Sequence, residues 1–312
     1  MRAFILPGFD APPALRDDAP EPAPGDDDVI VRVQAASVNP VDNAIAAGML
    51  NGMVEHEFPV VLGRDYAGVV ERVGARVSRY APGDEVYGFV PHAAPTVHHG
   101  SWAELIVLPA DTFIAPLPAG VDVAAAGAAP LSGITAMLAV DALELTSGDT
   151  LLIFGATGGV GSFAVQLAAH AGARTIAPAL PEDDSYLREL GVSELLDRDG
   201  DPAAAVRERH PEGVDALLDL VSYSPGEFDA HAAALKPGGR GASPINAAGE
   251  APGRSNVMGV ASPENLARLG ELLAAGTLTV PIKRTYDLAQ AGEGLQALAT
   301  EHTQGKLAVR VS

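Results

Sequence analysis

The run from Leu151 to Ala169 constrains the chain more than any other stretch. Leu151-Leu152-Ile153-Phe154 reads as an apolar strand, and Gly155-Ala156-Thr157-Gly158-Gly159-Val160-Gly161 as a glycine-rich turn. Ser162-Phe163-Ala164-Val165-Gln166-Leu167-Ala168-Ala169 then reads as an amphipathic helix. Strand, glycine turn and helix in this order open a dinucleotide-binding βαβ unit. Glycine lets backbone N–H groups approach a pyrophosphate, and the helix N-terminus adds partial positive charge. Read as G-x-G-x-x-G, the motif has Ala156 in place of its first glycine. Read as G-x-x-G-x-x-G, its glycines are 155, 158 and 161. The bland alternative is a tight turn without a ligand.

The surroundings favour a cradle. Strands are expected at Thr150–Phe154, Arg174–Ala177, Asp215–Val221 and Gly239–Ser243. Helices are expected at Val160–Ala171, Asp184–Leu190 and Phe228–Leu235. Such alternation predicts right-handed βαβ units and a parallel sheet. The first 120 residues differ. Val29, Val31 and Val33 alternate with Ile30, Arg32 and Gln34, and Tyr66–Val73 and Glu85–Val90 are further strand-like runs cut by Gly and Pro. They predict a barrel or sandwich. After 261 come a helix at Pro263–Ala275, a strand at Leu278–Ile282, a helix at Asp287–Ala299 and a strand at Lys306–Val311. The expected division is 1–120, 121–261 and 262–312.

Composition narrows the function. The chain has no cysteine, which excludes disulfides, zinc-thiolate sites, iron–sulfur clusters and a cysteine nucleophile. Its 20 basic and 40 acidic residues give a net charge of −20, which repels nucleic acid and anionic membranes. The uncharged stretches Val123–Val140 and Thr150–Ala173 are broken by Pro130 and by clustered glycines, so they read as buried elements rather than membrane spans. No secretion signal is visible, and a cytoplasmic protein is expected.

The second strand, Arg174–Ala177, bears on the choice of dinucleotide. No acid ends it to bond a ribose 2′-hydroxyl, and no Arg or Lys stands there for a 2′-phosphate. Glu182, Asp183 and Asp184 follow, and Asp183 or Asp184 is expected to cap the next helix.

The order of motifs resembles the medium-chain dehydrogenase/reductases, in their zinc-free quinone oxidoreductase (zeta-crystallin-like) branch. The matching runs include Ser37-Val38-Asn39-Pro40-Val41-Asp42, Phe58–Val70, Pro82–Val86 and Gly100-Ser101-Trp102-Ala103-Glu104. Leu131–Ala136, Gly155–Gly161 and Gly305-Lys306 continue the pattern. The resemblance implies an α/β architecture: a GroES-like β-rich catalytic domain, a Rossmann domain with a doubly wound parallel sheet, and a C-terminal return to the first domain. It implies hydride transfer from NADPH, with NAD possible and no zinc, to a quinone or an α,β-unsaturated carbonyl in the cleft between the domains.

It also implies site residues. Asn39, Asp42 and Thr135 take the catalytic positions. Asn39, Pro40, Thr135, Gly155, Ala156, Thr157, Gly158, Gly159, Val160, Gly161, Val221, Ser243, Pro244 and Lys306 take the cofactor positions. Leu50 and Trp102 line the substrate pocket, with Leu50 where some members carry a tyrosine. Asn39-Pro40 also suits a plain turn, Lys306 a solvated lysine and Trp102 an ordinary core aromatic. His92, His98 and His99 read as a loop over the cleft rather than a metal site. A homodimer is expected, with Asn256–Val260 as the edge strand. Two alternatives stay open: an enoyl-reductase-type or specialised biosynthetic reductase on a larger substrate, and a cofactor-binding protein with little turnover.

Overall fold

The computed structural model describes residues 1–92 and 97–312. The chain forms two compact units. One comprises Met1–Leu131, Val260–Gly276 and Ile282–Ser312; the other comprises Ser132–Gly259 and Thr277–Pro281.

The first unit opens with β1 (Ala3–Leu6), β2 (Ala14–Arg16) and β3 (Asp28–Val38). Helix α1 (Pro40–Ala46) follows, then β4 (Val60–Val61), β5 (Asp65–Val73), β6 (Glu85–Phe89), β7 (Leu105–Pro109) and β8 (Ala115–Pro116). α2 (Val123–Ala128) packs on β3 and β5. At Gly127 an added Cβ would lie 2.7 Å from the Ala35 carbonyl, so glycine permits this close approach. That packing draws α2 into the first unit and moves the division to Leu131, beyond the composition change near 121.

The second unit holds most of α3 (Pro130–Ala142), then β9 (Thr150–Phe154), α4 (Gly159–His170), β10 (Arg174–Ala179) and α5 (Asp184–Leu190). It continues with β11 (Glu194–Asp197), α6 (Pro202–Arg209), β12 (Val214–Asp219), α7 (Pro225–Ala232), β13 (Leu235–Ser243) and β14 (Arg254–Asn256). The chain then returns to the first unit with α8 (Pro263–Ala274), β15 (Ile282–Asp287), α9 (Ala291–Thr300) and β16 (Lys306–Arg310).

In the first unit, β2-β1-β4 form a small sheet and β15-β16-β3-β5-β6-β8 a larger one, with β7 also on β3. The inward faces of β3, β5 and β16 bury Val29, Val31, Val33, Val70 and Val309 in one apolar cluster. The β-rich expectation for this unit holds. In the second unit the sheet order is β11-β10-β9-β12-β13-β14, and every described pair is parallel. This is the doubly wound order, with the topological switch point between β9 and β12.

Three local expectations needed correction. The strand expected at Leu278–Ile282 begins only at Ile282, after Pro281. Asn39-Pro40 is not a plain turn: Asn39 is the N-cap of α1, and Pro40 takes its first position, where a missing N–H costs nothing. β11 and α6 had no sequence assignment, because a four-residue half-buried strand carries little periodic signal. Among the described residues no helix is long and apolar enough to cross a membrane.

Candidate functional site

The glycine turn divides its labour. Strand β9 is central in its sheet and delivers the chain to Gly155, whose φ of +82° lies in the left-handed region. A Cβ on Gly155 would meet Val221 Cγ1 at 3.0 Å and Leu220 Cβ at 3.1 Å, just past the end of β12. A Cβ on Gly161 would lie 2.1 Å from the Gly155 carbonyl and 2.6 Å from Ala156 Cα. Glycine at 155 and 161 is therefore required by the chain's own packing.

Gly158 is different. A Cβ there would find only the Gly155 carbonyl, at an ordinary 3.6 Å, and its φ of −76° suits any residue. Folding does not need glycine at 158, yet the residue sits at the N-cap of the twelve-residue helix α4. No side chain among the described residues caps that end. Open space, uncapped N–H groups and the positive end of a helix dipole are the features that suit an anionic group. Ala156, Thr157, Gly159 and Val160 complete the turn, and Val221 stands against it with 45% of its surface exposed.

The end of the second strand is built unlike the expectation. Asp183 occupies the N-cap position of α5, but its side chain does not cap that helix. A 3-10 turn, Pro181–Asp183, runs straight into α5, and the buried Asp183 carboxylate folds back to accept the Leu180 N–H at 3.2 Å. Asp184 already lies inside the helix, where it pairs with Arg188 at 2.8 Å. Glu182 is exposed.

The first unit contains a second feature: four ionisable side chains, Asp42, Arg64, Asp65 and Lys306, all buried. Asp65 Oδ2 accepts from Ser37 Oγ at 2.6 Å and Asn39 Nδ2 at 2.9 Å, and lies 3.6 Å from Lys306 Nζ. Its Oδ1 accepts the Leu131 N–H at 2.7 Å. Lys306 donates to Asn39 Oδ1 at 2.5 Å. Asp42 Oδ2 accepts the Asn39 N–H at 2.8 Å. Arg64 donates to the carbonyls of Pro91 (3.1 Å) and Val61 (2.9 Å), and its Nε stands 3.8 Å from Asp42 Oδ1. Two acids and two bases balance, as buried charges must. Burial pushes the Asp42 carboxyl up to about 7, against the opposing pull of Arg64. It also lowers Lys306, against the pull of Asp65 and Asp42.

Known proteins match both units. Residues 25–119 match the alcohol dehydrogenase GroES-like domain, and residues 190–309 match the zinc-binding dehydrogenase family. The chain is 31% identical over 212 residues to the chloroplast envelope quinone oxidoreductase homolog of Arabidopsis thaliana, covering 66% of this chain and 63% of that protein. It is 35% identical over 305 residues to the spectinabilin polyketide synthase system protein NorB of Streptomyces orinoci, covering 91% of this chain and 13% of that protein. It is 29% identical over 290 residues to the chloroplastic NADPH-dependent alkenal/one oxidoreductase of Arabidopsis thaliana, covering 91% of this chain and 72% of that protein. The chain thus spans less than two thirds of the first two relatives. The quinone oxidoreductase from Coxiella burnetii superposes with a TM-score of 0.88 at 28% identity, over 100% of this chain and 99% of that one. The chain belongs to the medium-chain dehydrogenase/reductase superfamily.

Within this medium-chain dehydrogenase/reductase, burial decides where several expected site residues stand. Trp102 packs as a core aromatic. It is fully buried, donates its indole N–H to the Ser37 carbonyl at 3.1 Å and meets Phe4 edge to face. Its ring lies where a Cβ on Gly63 would fall, 2.1 Å away, so Gly63 is the seat of the indole. Lys306 is not a solvated lysine: it is buried, and its ammonium is held by Asn39 and Asp65. Asn39 and Asp42 are buried as well, and their side chains bond inward. Pro40 opens α1, and Leu50 is half-buried against the core of its unit. Thr135 is buried in α3.

Ser243 closes β13, and its Oγ accepts the Ile245 and Ala247 N–H groups at 3.3 Å, with Pro244 between them in sequence. His98 and His99 meet edge to face at 4.4 Å, and His98 Nδ1 contacts the Glu57 carbonyl. Part of their loop, 93–96, lies outside the described residues. Sequence reasoning missed Asp65 as a partner of Asn39 and Arg64 as a neighbour of Asp42, and Asp219, Ser222 and His231 altogether. An acid ending a core strand, as Asp219 ends β12, was the available signal.

Proposed function

We propose that this protein is a zinc-independent, NADPH-using oxidoreductase that reduces a quinone or an α,β-unsaturated carbonyl. The observation that carries the reading is Gly158, a glycine with clearance that the chain's own packing does not require, at the open end of α4. The N–H groups of the turn 155–161 would receive the pyrophosphate, and Val221 would bound the crevice at the switch point. The bound nicotinamide supplies the hydride when present. The chain's part is to orient it, exclude water and keep the surrounding polar groups rigid. The buried quartet around Asn39 serves the last purpose, because its bonds to Ser37 and Asn39 fix the end of β3 and the start of α1. The names of the relatives, a quinone oxidoreductase homolog and an NADPH-dependent alkenal/one oxidoreductase, support the acceptor class.

Zinc does not fit. The chain has no cysteine, and among the described residues no three His, Asp or Glu side chains converge to hold a metal. With a net charge of −20, a small-molecule acceptor is the proposed partner rather than nucleic acid or an anionic bilayer.

Side-by-side fluorescence titration with NADPH and NADH tests the reading. NADPH is expected to bind tighter. NADH binding at least as tightly would give the exposed Glu182 control of cofactor choice and revise the donor. Binding of neither would sink the proposal.

A second reading has its own support. The match to NorB covers 91% of this chain, which favours an enoyl-reductase-type reaction on a larger, carrier-bound substrate. A panel of quinones, enals and enoyl thioesters separates the two by kcat/KM. Enoyl thioesters reacting fastest would establish the second reading.

A further inference from the structure

The switch point is braced from below by a group that the reaction does not consume. β12 ends at Asp219, whose side chain is fully buried. Its Oδ1 accepts the N–H groups of Val221 at 3.0 Å and Ser222 at 2.9 Å. Its Oδ2 accepts from Ser222 Oγ at 2.7 Å and lies 2.7 Å from His231 Nδ1. The imidazole of His231, on α7, stacks on Phe154 with ring centroids 3.6 Å apart and planes 10° apart. Phe154 is the last residue of β9 and precedes Gly155. One imidazole therefore touches the final residue of both strands that flank the crevice.

A hydrolytic relay is excluded by geometry. Ser222 Oγ lies 3.3 Å from the same Nδ1 that faces Asp219, so hydroxyl and carboxylate do not stand on opposite ring nitrogens. The hydroxyl proton goes to Asp219 instead.

We infer that His231 is a positioning residue: through Asp219 and Phe154 it holds the Val221–Tyr223 segment against Gly155 and thereby sets the affinity of the dinucleotide site. The inference rests on the reading of the glycine turn as that site. Three observations support it. The segment lacks slack, because Gly155 has room for no Cβ beneath Val221. Its far end is pinned separately, where the Glu227 carboxylate accepts the Tyr223 N–H at 2.7 Å and the Ser224 N–H at 3.1 Å. Finally, burial pushes the Asp219 carboxyl up, but the bonds from His231, Val221 and Ser222 outweigh it and hold the group below its usual range. A carboxylate oxygen can only accept, so the 2.7 Å contact makes His231 Nδ1–H the donor in a charge-assisted bond.

The test is the dissociation constant of NADPH and NADH on the full chain, by fluorescence titration, for wild type and three variants. His231→Phe keeps a ring on Phe154 and removes the donor. It is expected to weaken binding about tenfold or more, the worth of a hydrogen bond to a buried charge. His231→Asn supplies an N–H close to the Nδ1 position and is expected to restore affinity to within about threefold of wild type. The acceptor KM should stay unchanged in both. A folded His231→Phe that binds as wild type does, or a His231→Asn as weak as His231→Phe, overturns the inference. If His231→Phe does not fold, Ser222→Ala removes another donor to the same carboxylate, and unchanged binding there overturns it equally. Wild type binding neither dinucleotide overturns this inference together with the site reading, whereas an indifferent His231→Phe overturns this inference alone.

Discussion

Single glycines separate packing from binding in this chain. Gly161→Ala would drive a Cβ to 2.1 Å from a backbone carbonyl. Backbone cannot give way as a side chain does, so the variant should lose about 2–3 kcal/mol or more in chemical denaturation. Gly158→Ala meets only one atom, at 3.6 Å, and should melt within about 0.5 kcal/mol of wild type. Its methyl group would nevertheless occupy the space over the helix end, so NADPH should bind about tenfold more weakly. Equal cofactor affinity in Gly158→Ala would remove the main support for the proposed site. Gly63 belongs with Gly161: its φ of +87° and the indole at 2.1 Å leave no room for a side chain. A Gly63→Ala variant should therefore be destabilised while the chemistry of any surviving folded fraction is unchanged.

At the scale of elements, the buried quartet couples β3, α1, β5 and β16 through charge. An unfolded aspartate titrates near 4, whereas burial raises Asp42 to about 7. Between those values the folded chain keeps a proton that the unfolded chain has released. Stability therefore falls as pH rises from about 4 to about 7. Asp42→Asn cannot ionise and should lose that slope, gaining on wild type by as much as about 4 kcal/mol across the window at about 1.4 kcal/mol per unit. Urea melts at pH 5, 6, 7 and 8 would show it, and parallel slopes for the two proteins would mean that Asp42 stays ionised throughout. Lys306→Met removes a cation from beside Asp65 and should cost about 3–5 kcal/mol, the penalty of an uncompensated buried charge.

The legibility of these elements in the sequence follows their range. The strand, glycine turn and helix around residue 155 were readable because all their determinants are adjacent. So were Thr150–Phe154 and Asp184–Leu190, whose bounds agree residue for residue. The polar cluster was not, since Lys306 and Asn39 are 267 positions apart and nothing local at either end announces the other. The packing of Trp102 was illegible for a related reason. Whether an aromatic faces a pocket or the core depended on Gly63, a residue of another loop that leaves room for the indole.

At the scale of the whole molecule, the edge of the parallel sheet bears on assembly. The edge strand expected at Asn256–Val260 is instead the three-residue β14, Arg254–Asn256. Beyond it Met258 is 71% exposed and Val260 53% exposed. A short open edge followed by bare apolar side chains is a surface that a second copy can cover. Light scattering at micromolar concentration should give the mass of a homodimer, and Met258→Glu should shift it toward the monomer. A wild-type monomer at that concentration would contradict the expectation.

The order in which the chain leaves the ribosome matters too. β16 pairs with β3 in the larger sheet, and Lys306 neutralises Asp65 inside it. Yet β3 is made first, and Asn39, just past its end, precedes Lys306 by 267 positions. The doubly wound unit has all its strands by Asn256 and can complete its sheet early. The β-rich unit must wait, with residues 35–38 of β3 unpaired on one side and a carboxylate without its counter-ion, until residues 306–310 emerge. Stalled or proteolysed chains that stop short of residue 306 would thus display a sticky strand beside a finished neighbour, and quality control would read them as unfinished.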